Sequence, residues 1–519
     1  MICIPDSAGC FDLDSLLSHL PVRSPYGISE KQTLNFCVPG DEDYLRLEFA
    51  RVADVMQDIV NKSYWVWELE GFLSKLPKIG NIIEASSQNT VLSLTQIADI
   101  METCSLVMKI RELTDSMPRS IVPLAAPKLS GSLTKLLNLA GDIFPDGTPR
   151  LEGVAGHSYR EKVDDLQKVI KAMRDEYITC VKMTEESTGL KVRPGGTIRI
   201  SRLDESLIDY LDRTALVERH QESLDYIVFI MRKSEKWQEL GEQVKELRIS
   251  ISQYGDECRR EFSQLVGESS AEYERILSEL GHLDLIIAKA RFGTEFGGIC
   301  PEITDEPHVW LIGGEDLKQF VRSPDAPVFN CKITSGVTVV TGGQDSRRPE
   351  LMFLLARLLF WAHLGIPVSA AKMQTGLHHF ICYLREFDLG DEKQLARSME
   401  EFDSVSTYEG RGVFLFDEPA GNFPGGFAST FSLALLKRVR FERDMVILAT
   451  EDSLILSRYG KEACLFIEAS DDESDNKKSN PRRTIVSWDE YKSENAMIDA
   501  LRKSALGEEF EEILGELWE

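Results

Sequence analysis

Three short apolar runs constrain this chain most: Val337-Thr-Val-Val, Val413-Phe-Leu-Phe and Met445-Val-Ile-Leu-Ala, each followed at once by small or acidic residues. Runs this short, without polar alternation and bounded by turn or acidic residues, predict strands buried on both faces. Similar runs lie at 309–312 and 463–468, and helical segments at 351–364 and 429–438 fall between them. Strands that alternate with helices make a mainly parallel sheet covered on both sides. An α/β domain over residues 293–492 follows.

The chain upstream has a different period. After an N-terminal segment, 1–40, apolar residues recur at helical spacing: Leu45, Val52, Val55 and Ile59, then Leu94, Ile97, Ile100 and Met101. Residues 118–157 carry more proline and glycine and predict a connection with a helix near 133–139. A long amphipathic helix is expected over 159–183, with Val163, Leu166, Val169, Ile170, Met173, Tyr177 and Val181 on one face. Alternation around Pro194-Gly-Gly predicts a small hairpin excursion near 189–205. Helical periodicity is read again from Leu207, with breaks, to Ile287. A helix out and a helix back make a lever, so 41–292 reads as a helical core and lever. The charged stretch 470–483 predicts a loop, and 493–519 a pair of C-terminal helices, at 493–501 and 508–518. The fold class is multidomain: a mostly α-helical core and lever followed by an α/β domain.

Charge narrows the partners. Eighty-five Asp and Glu against 59 Lys and Arg give a net charge of −26. Nucleic-acid binding draws on cations that neutralise phosphates, and the basic stretches 191–202 and 477–483 are short and bordered by acids. This balance argues against nucleic acid. No apolar run approaches the roughly 20 residues of a membrane span, and the region behind Met1, with Asp6, Asp12 and Asp14, lacks the pattern of a signal peptide. The ten scattered cysteines suit reduced thiols, and the reading is cytoplasmic. His378 and His379 sit in a strand-like run, on opposite faces, so no shared metal is expected. Trp65, Trp67 and Trp361 read as core aromatics.

In order, the chain offers a strand, a loop with Gly342 and Gly343, a helix opening at Arg348, a strand delivering Asp417 and Glu418, and a strand ending in Ala449-Thr. That is the skeleton of a P-loop NTPase, with Asp417-Glu418 as its Walker B acids. Several segments resemble the MutS family in particular. Leu283-Asp-Leu-Ile-Ile-Ala-Lys-Ala-Arg-Phe is similar to the lever end that enters the MutS ATPase domain. Leu364-Gly-Ile-Pro-Val-Ser-Ala resembles the turn after the P-loop helix, and Ala449-Thr-Glu the family's A-T-H switch. Phe11-Asp-Leu-Asp-Ser-Leu-Leu with Ser24-Pro-Tyr-Gly resembles the start of the core in shorter members. The mismatch-reading module and the nuclease-like domain have no counterpart in this sequence.

The departures fall on the chemistry. The family's loop reads T-G-P-N-M-G-G-K-S-T; here it is Thr341-Gly-Gly-Gln-Asp-Ser-Arg-Arg-Pro-Glu. Arg348 replaces the phosphate-binding lysine, and Pro349 replaces the metal-ligating hydroxyl, with neither a hydroxyl nor an amide hydrogen. Asp345 and Glu350 add negative charge; at an effective dielectric near 20, a like-charge contact at about 4 Å costs on the order of 4 kcal/mol. The S-x-F-x-x-E signature is missing from 390–397, the turn after Walker B is Ala420-Gly-Asn-Phe-Pro, and the switch histidine is Glu451. Asp417 and Glu418 remain as remnants of catalysis, and Gly342, Gly343 and Arg348 as remnants of nucleotide binding. No catalytic residue, metal or required cofactor is expected.

The resemblance implies a non-hydrolysing regulatory or scaffolding subunit, paired with an ATPase-competent MutS-like chain or with itself. Family members of this layout include the paired reactivase subunits of adenosylcobalamin-dependent aminomutases, notably lysine 5,6-aminomutase, which act like chaperones. Two alternatives stand beside it. One is a DNA-binding clamp using Arg193 to Arg202 as its tip; the other is an unorthodox nucleotidase using Arg348, Asp417 and Glu418.

Overall fold

The computed structural model describes residues 13–127, 156–317, 327–342, 347–385, 400, 402–419, 426–440, 443–459, 464–469 and 482–485. The expectations for 1–12, 133–139, 343–346, 390–397, 420–424, 470–481 and 493–518 lie outside these residues. The chain divides into two compact units, one of Pro77–Met108 and Lys128–Arg275, the other of Met1–Leu76, Lys109–Pro127 and Ile276–Glu519.

The first of these units is built on two long helices, Gly156–Thr188 and Glu235–Glu268. They run antiparallel. Lys162 Nζ donates to Ser250 Oγ at 2.7 Å, whereas further along Glu176 meets Ser234 Oγ and Lys236 Nζ, both at 2.9 Å. Ser234 also caps the second helix, accepting from Trp237 N. Between the helices the chain forms three strands, β1 (Thr197–Ser201), β2 (Val217–Glu222) and β3 (Tyr226–Met231), in the order β1-β3-β2 and antiparallel throughout.

This corrects the helical reading of 217–231. Tyr226-Ile-Val-Phe-Ile-Met alternates buried and half-buried, the two-residue period of a strand. The Pro194-Gly195-Gly196 turn closes on itself through Arg193 and Thr197, but the ladder partner of β1 is β3, about thirty residues later in the chain. Gly195 and Gly196 both hold positive φ, which glycine adopts without steric cost. Ile198, Ile200, Ile227 and Phe229 pack on Ile208 and Leu211 of the helix Glu205–Arg213 to make a small core.

The second unit holds a ten-stranded mixed sheet: β4 (Glu302–Thr304), β5 (Val309–Glu315), β6 (Val328–Ile333), β7 (Gly336–Gly342), β8 (Lys372–Gly376), β9 (Phe380–Arg385), β10 (Gly412–Asp417), β11 (Met445–Ala449), β12 (Cys464–Ala469) and β13 (Arg482–Ile485). Their order is β4-β8-β5-β6-β13-β12-β7-β11-β10-β9, and β12-β7-β11-β10-β9 is parallel without a break. The strands expected at 309–312, 337–340, 413–416, 445–449 and 463–468 are all present.

Alternation explains why β10 and β11 look uniformly apolar. Val413, Leu415, Met445 and Ile447 face the helix Arg348–His363, with Leu351, Leu355, Leu358 and Leu359 in the same cluster. Phe414, Phe416, Val446 and Leu448 face the other way, onto Phe431 and Leu435 of the helix Gly426–Arg438. Trp361 and Trp65 are buried as expected. Trp67 is not; two thirds of it is exposed, at 66%.

Buried charge ties this unit's early and late segments together. The Asp284 carboxylate accepts from Arg23 N at 3.0 Å, Ser24 N at 2.6 Å and Ser24 Oγ at 2.7 Å. Ser24 Oγ in turn accepts from Gly27 N and caps the helix Pro25–Gln32. Nearby in sequence, Lys289 Nζ and His282 Nε2 hold the two oxygens of buried Glu48 at 3.1 and 2.9 Å. Among the described residues no helix is long and apolar enough to cross a membrane.

Candidate functional site

Parallel strands end together, and in this sheet the ends carry several of the residues that the sequence singled out, with others beside them. Arg385, Asp417, Ala449 and Val340 share one row across β9, β10, β11 and β7. Just beyond that row stand Glu418, Glu451 and the start of the helix Arg348–His363. The carboxyl edge of a parallel sheet, beside a helix N-terminus, is where open α/β folds bind ligands.

Arg348 fills this place itself. Its side chain is only 8% exposed, and one guanidinium nitrogen lies 2.5 Å from Glu418 Oε1 and 2.6 Å from Glu451 Oε1. Both carboxylates meet the same terminal nitrogen, which carries two N–H donors and a permanent positive charge shared over the guanidinium. The backbone is set for this contact. Arg347 has φ +53° and Glu418 φ +47°, left-handed conformations that cost a side-chain-bearing residue on the order of 1 kcal/mol or more. Glu418 N donates to Ala449 O at 3.1 Å, which pins the Walker B end of β10 to the end of β11.

Asp417 is fixed from another side. Its Oδ2 accepts from Tyr383 Oη at 2.8 Å and lies 3.8 Å from Arg385 Nε. Tyr383 and Arg385 went unnoticed in the sequence, although the apolar run Phe380-Ile-Cys-Tyr-Leu-Arg was a usable strand signal. The segment after β11 is held as well: Thr450 N donates to Val340 O at 3.0 Å, and Thr450 Oγ1 accepts from Asp452 N at 3.1 Å. Asp452 then accepts from Leu454 N and Ser429 Oγ.

Of the expected nucleotide-binding remnants, Arg348 and Gly342 flank the loop, Gly342 as the last residue of β7; Gly343 lies outside the described residues. Asp417, Glu418 and Arg348 come together, and Glu451 joins them. Pro349, in the first turn of the helix, contributes neither a hydroxyl nor an N–H. His378 and His379 stand apart, before β9; His378 is fully buried and His379 is not. Among the described residues no group of three or more His, Cys, Asp or Glu is arranged to hold a metal.

The chain is similar to proteins named Endonuclease MutS2. It is 22% identical to that of Enterococcus faecalis over 436 residues, which cover 76% of this chain and 51% of the relative. With that of Clostridium novyi it shares 24% over 231 residues, 41% of this chain and 28% of the relative. With that of Streptococcus sanguinis it shares 24% over 232 residues, 43% and 29%. These matches support a MutS-like family. No family model matches the chain. The MutS-like similarity spans about half or less of the relatives' own length.

Proposed function

We propose that this chain is a MutS-like subunit that does not hydrolyse nucleotide and acts as a regulatory or scaffolding partner. The observation that carries the reading is the Arg348 cation shared by Glu418 and Glu451. In a working P-loop the corresponding cation meets phosphate, a neighbouring hydroxyl holds magnesium, and the Walker B acids face metal and water. Here the cation is consumed by two carboxylates, Pro349 has no hydroxyl, and Asp417 accepts from a tyrosine. A magnesium nucleotide therefore fits these residues poorly. It would have to break the Arg348 ion pairs and bring its own negative charge beside two carboxylates.

The finer part of the proposal follows the family resemblance. A reactivase for an adenosylcobalamin-dependent aminomutase pairs an ATP-driven MutS-like chain with a companion, and a sheet end whose cation is taken up by carboxylates suits the companion. The purified chain should release no phosphate from ATP above background, and Glu418→Gln should change nothing. Saturating magnesium-ATP should leave its melting temperature unmoved, since a ligand at 100 times its Kd would stabilise by about 2.7 kcal/mol. Inactivated aminomutase should recover only when this chain and an ATPase-competent homologue are both present. Turnover abolished by Glu418→Gln would overturn the non-hydrolysing reading, and recovery with the homologue alone would overturn the reactivase.

The relatives' name raises a second reading, in which the chain binds DNA. Two arginines of the β1 region are engaged within the protein: the Arg199 guanidinium lies 3.4 Å from the centre of the Tyr226 ring, and Arg202 pairs with Glu222. A mobility shift with duplex or branched DNA that weakens steeply with salt would favour this alternative.

A further inference from the structure

Two leucines in the unit of Pro77–Met108 and Lys128–Arg275 stand almost wholly in water. Leu203, just after β1, and Leu224, between β2 and β3, are each 93% exposed. Neighbouring bonds bracket them side by side. Arg202 N donates to Asp225 O at 3.1 Å, Arg202 Nε to Ser223 O at 2.7 Å, and Arg202 pairs with Glu222 at 2.8 Å. These contacts fall on both sides of Leu224, while Leu203 follows Arg202 directly. Ser223 N donates to Tyr226 O at 2.9 Å and Asp204 N to Ser201 O at 3.1 Å, so both turns are closed. Three residues away in the chain from Leu203 and Leu224 respectively, Ile200 and Ile227 are buried in the small core. A single exposed leucine is ordinary, but two fixed together at one tip form an apolar knob.

The rim of the knob is acidic on balance. Asp204, Glu205, Glu222 and Asp225 are all exposed, against the guanidinium groups of Arg202 and Arg219, both of which Glu222 engages. Nucleic acid and anionic membrane surfaces are recognised by lysine and arginine, and this tip would repel both. An apolar centre inside an acidic rim complements an apolar cleft bordered by basic side chains. We propose that the Leu203–Leu224 tip is a docking knob for a protein partner whose cleft is apolar within and rimmed by lysine or arginine. None of the residues at the end of the large sheet enters this inference, which stands or falls separately from the proposed function.

The test replaces Leu203 by photoreactive p-benzoylphenylalanine in the full chain, in its native cells, and locates the cross-linked residues by mass spectrometry. The expected cross-links fall on one surface of one protein, at apolar residues flanked by Lys or Arg. Their yield should drop about tenfold with Leu224→Asp, as for a buried anchor. Cross-links to nucleic acid, to lipid or to this chain itself would overturn the proposal. So would cross-links scattered over many proteins, their absence, or a yield unchanged by Leu224→Asp. The purified Leu203→Asp, Leu224→Asp double variant should keep the parent's melting temperature. A fall of several degrees would mean that the leucines pack within the chain, which also overturns the proposal.

Discussion

Arg348 and Glu418, seventy residues apart in the chain, meet through a guanidinium nitrogen 2.5 Å from a carboxylate oxygen, and Glu451 shares that nitrogen at 2.6 Å. Arg348 and Glu451 stand where the resemblance expects a phosphate-binding lysine and a switch histidine, and Glu418 is the Walker B acid at the strand end. The ion pairs give these three residues a common structural purpose. They join the first turn of a helix to the ends of β10 and β11, a joint that nucleotide would otherwise help to make.

Removing the cation alone should therefore cost more than removing all three charges. Arg348→Met leaves Glu418 and Glu451 facing each other. Because these acids are 30% and 50% exposed, the expected loss is about 1–2 kcal/mol, below that of a fully buried pair. Adding Glu418→Gln and Glu451→Gln should recover most of it in urea unfolding. A triple variant no more stable than Arg348→Met would show that the ion pairs do not hold this joint.

Much of the sheet was legible because β7, β10 and β11 are buried on both faces and so carry no polar alternation to confuse with a helix. β2 and β3 were hidden for the opposite reason. Val217-Glu-Arg-His-Gln-Glu buries a single residue, and the apolar run of β3 fits a helix period as well as a strand in so short a window. The site was legible in part. Arg348, Asp417, Glu418 and Glu451 stood out as departures or matches in a motif, but their convergence depends on strand order, which no single motif encodes. Tyr383, which holds Asp417, belongs to a strand that carries no motif. Trp67 was misread because an aromatic residue beside a buried neighbour resembles core; on a helix, adjacent residues face different ways.

The segments Ser24-Pro-Tyr-Gly and Leu283-Asp-Leu, separate in sequence, meet through Asp284. A methyl group at Gly27 would lie 2.2 Å from Asp284 Oδ2, far inside contact distance. Gly27→Ala should destabilise by about 2–4 kcal/mol through displacement of that carboxylate. Asp284→Asn should cost about 1–3 kcal/mol, because an amide nitrogen then faces donors from Arg23 and Ser24. Equilibrium unfolding reads both. If either variant unfolds at the parent's urea midpoint, Asp284 does not fix the N-terminal helix.

Glu48 should shape stability only in strong acid. Burial acts to raise its carboxyl, but the Lys289 ammonium and His282 outweigh burial and hold it at about 2, below its ordinary 4.5. Its contribution is complete above pH 4.5 and is lost as pH falls through 2. The expected total is about 3 kcal/mol. Glu48→Gln should be destabilised at pH 7 and should lose the part of the parent's acid slope that lies between pH 4.5 and 2. An unchanged slope there would remove Glu48 from the account.

A second acid transition should lie higher, and two buried histidines set it. His363 and His378 are both 0% exposed, with ring centres 5.7 Å apart. His363 Nε2 accepts from His378 N at 2.9 Å, so its proton sits on Nδ1, which donates to Leu359 O at 2.7 Å. Protonating Nε2 would break the bond from the amide. Burial, with Arg411 acting in the same direction, lowers His363 from 6.5 to about 4. The unfolded chain therefore takes up a proton that the folded chain refuses, and stability falls as pH drops from 6.5 to 4, by about 3 kcal/mol for this group. His378 is lowered well below its ordinary value, first by burial and then by His363 and Arg411. Neither of its ring nitrogens has a hydrogen-bond partner among the described residues. His378→Leu should then be neutral or stabilising at pH 7, since an unsatisfied buried polar ring is exchanged for an apolar side chain. At pH 5 it should be clearly more stable than the parent. His363→Gln should instead lose stability at pH 7, yet show a shallower decline between pH 6.5 and 4. Unfolding free energies at pH 7, 6, 5 and 4 would separate the two. Parallel pH profiles for the parent and both variants would mean that these rings are protonated in the folded chain.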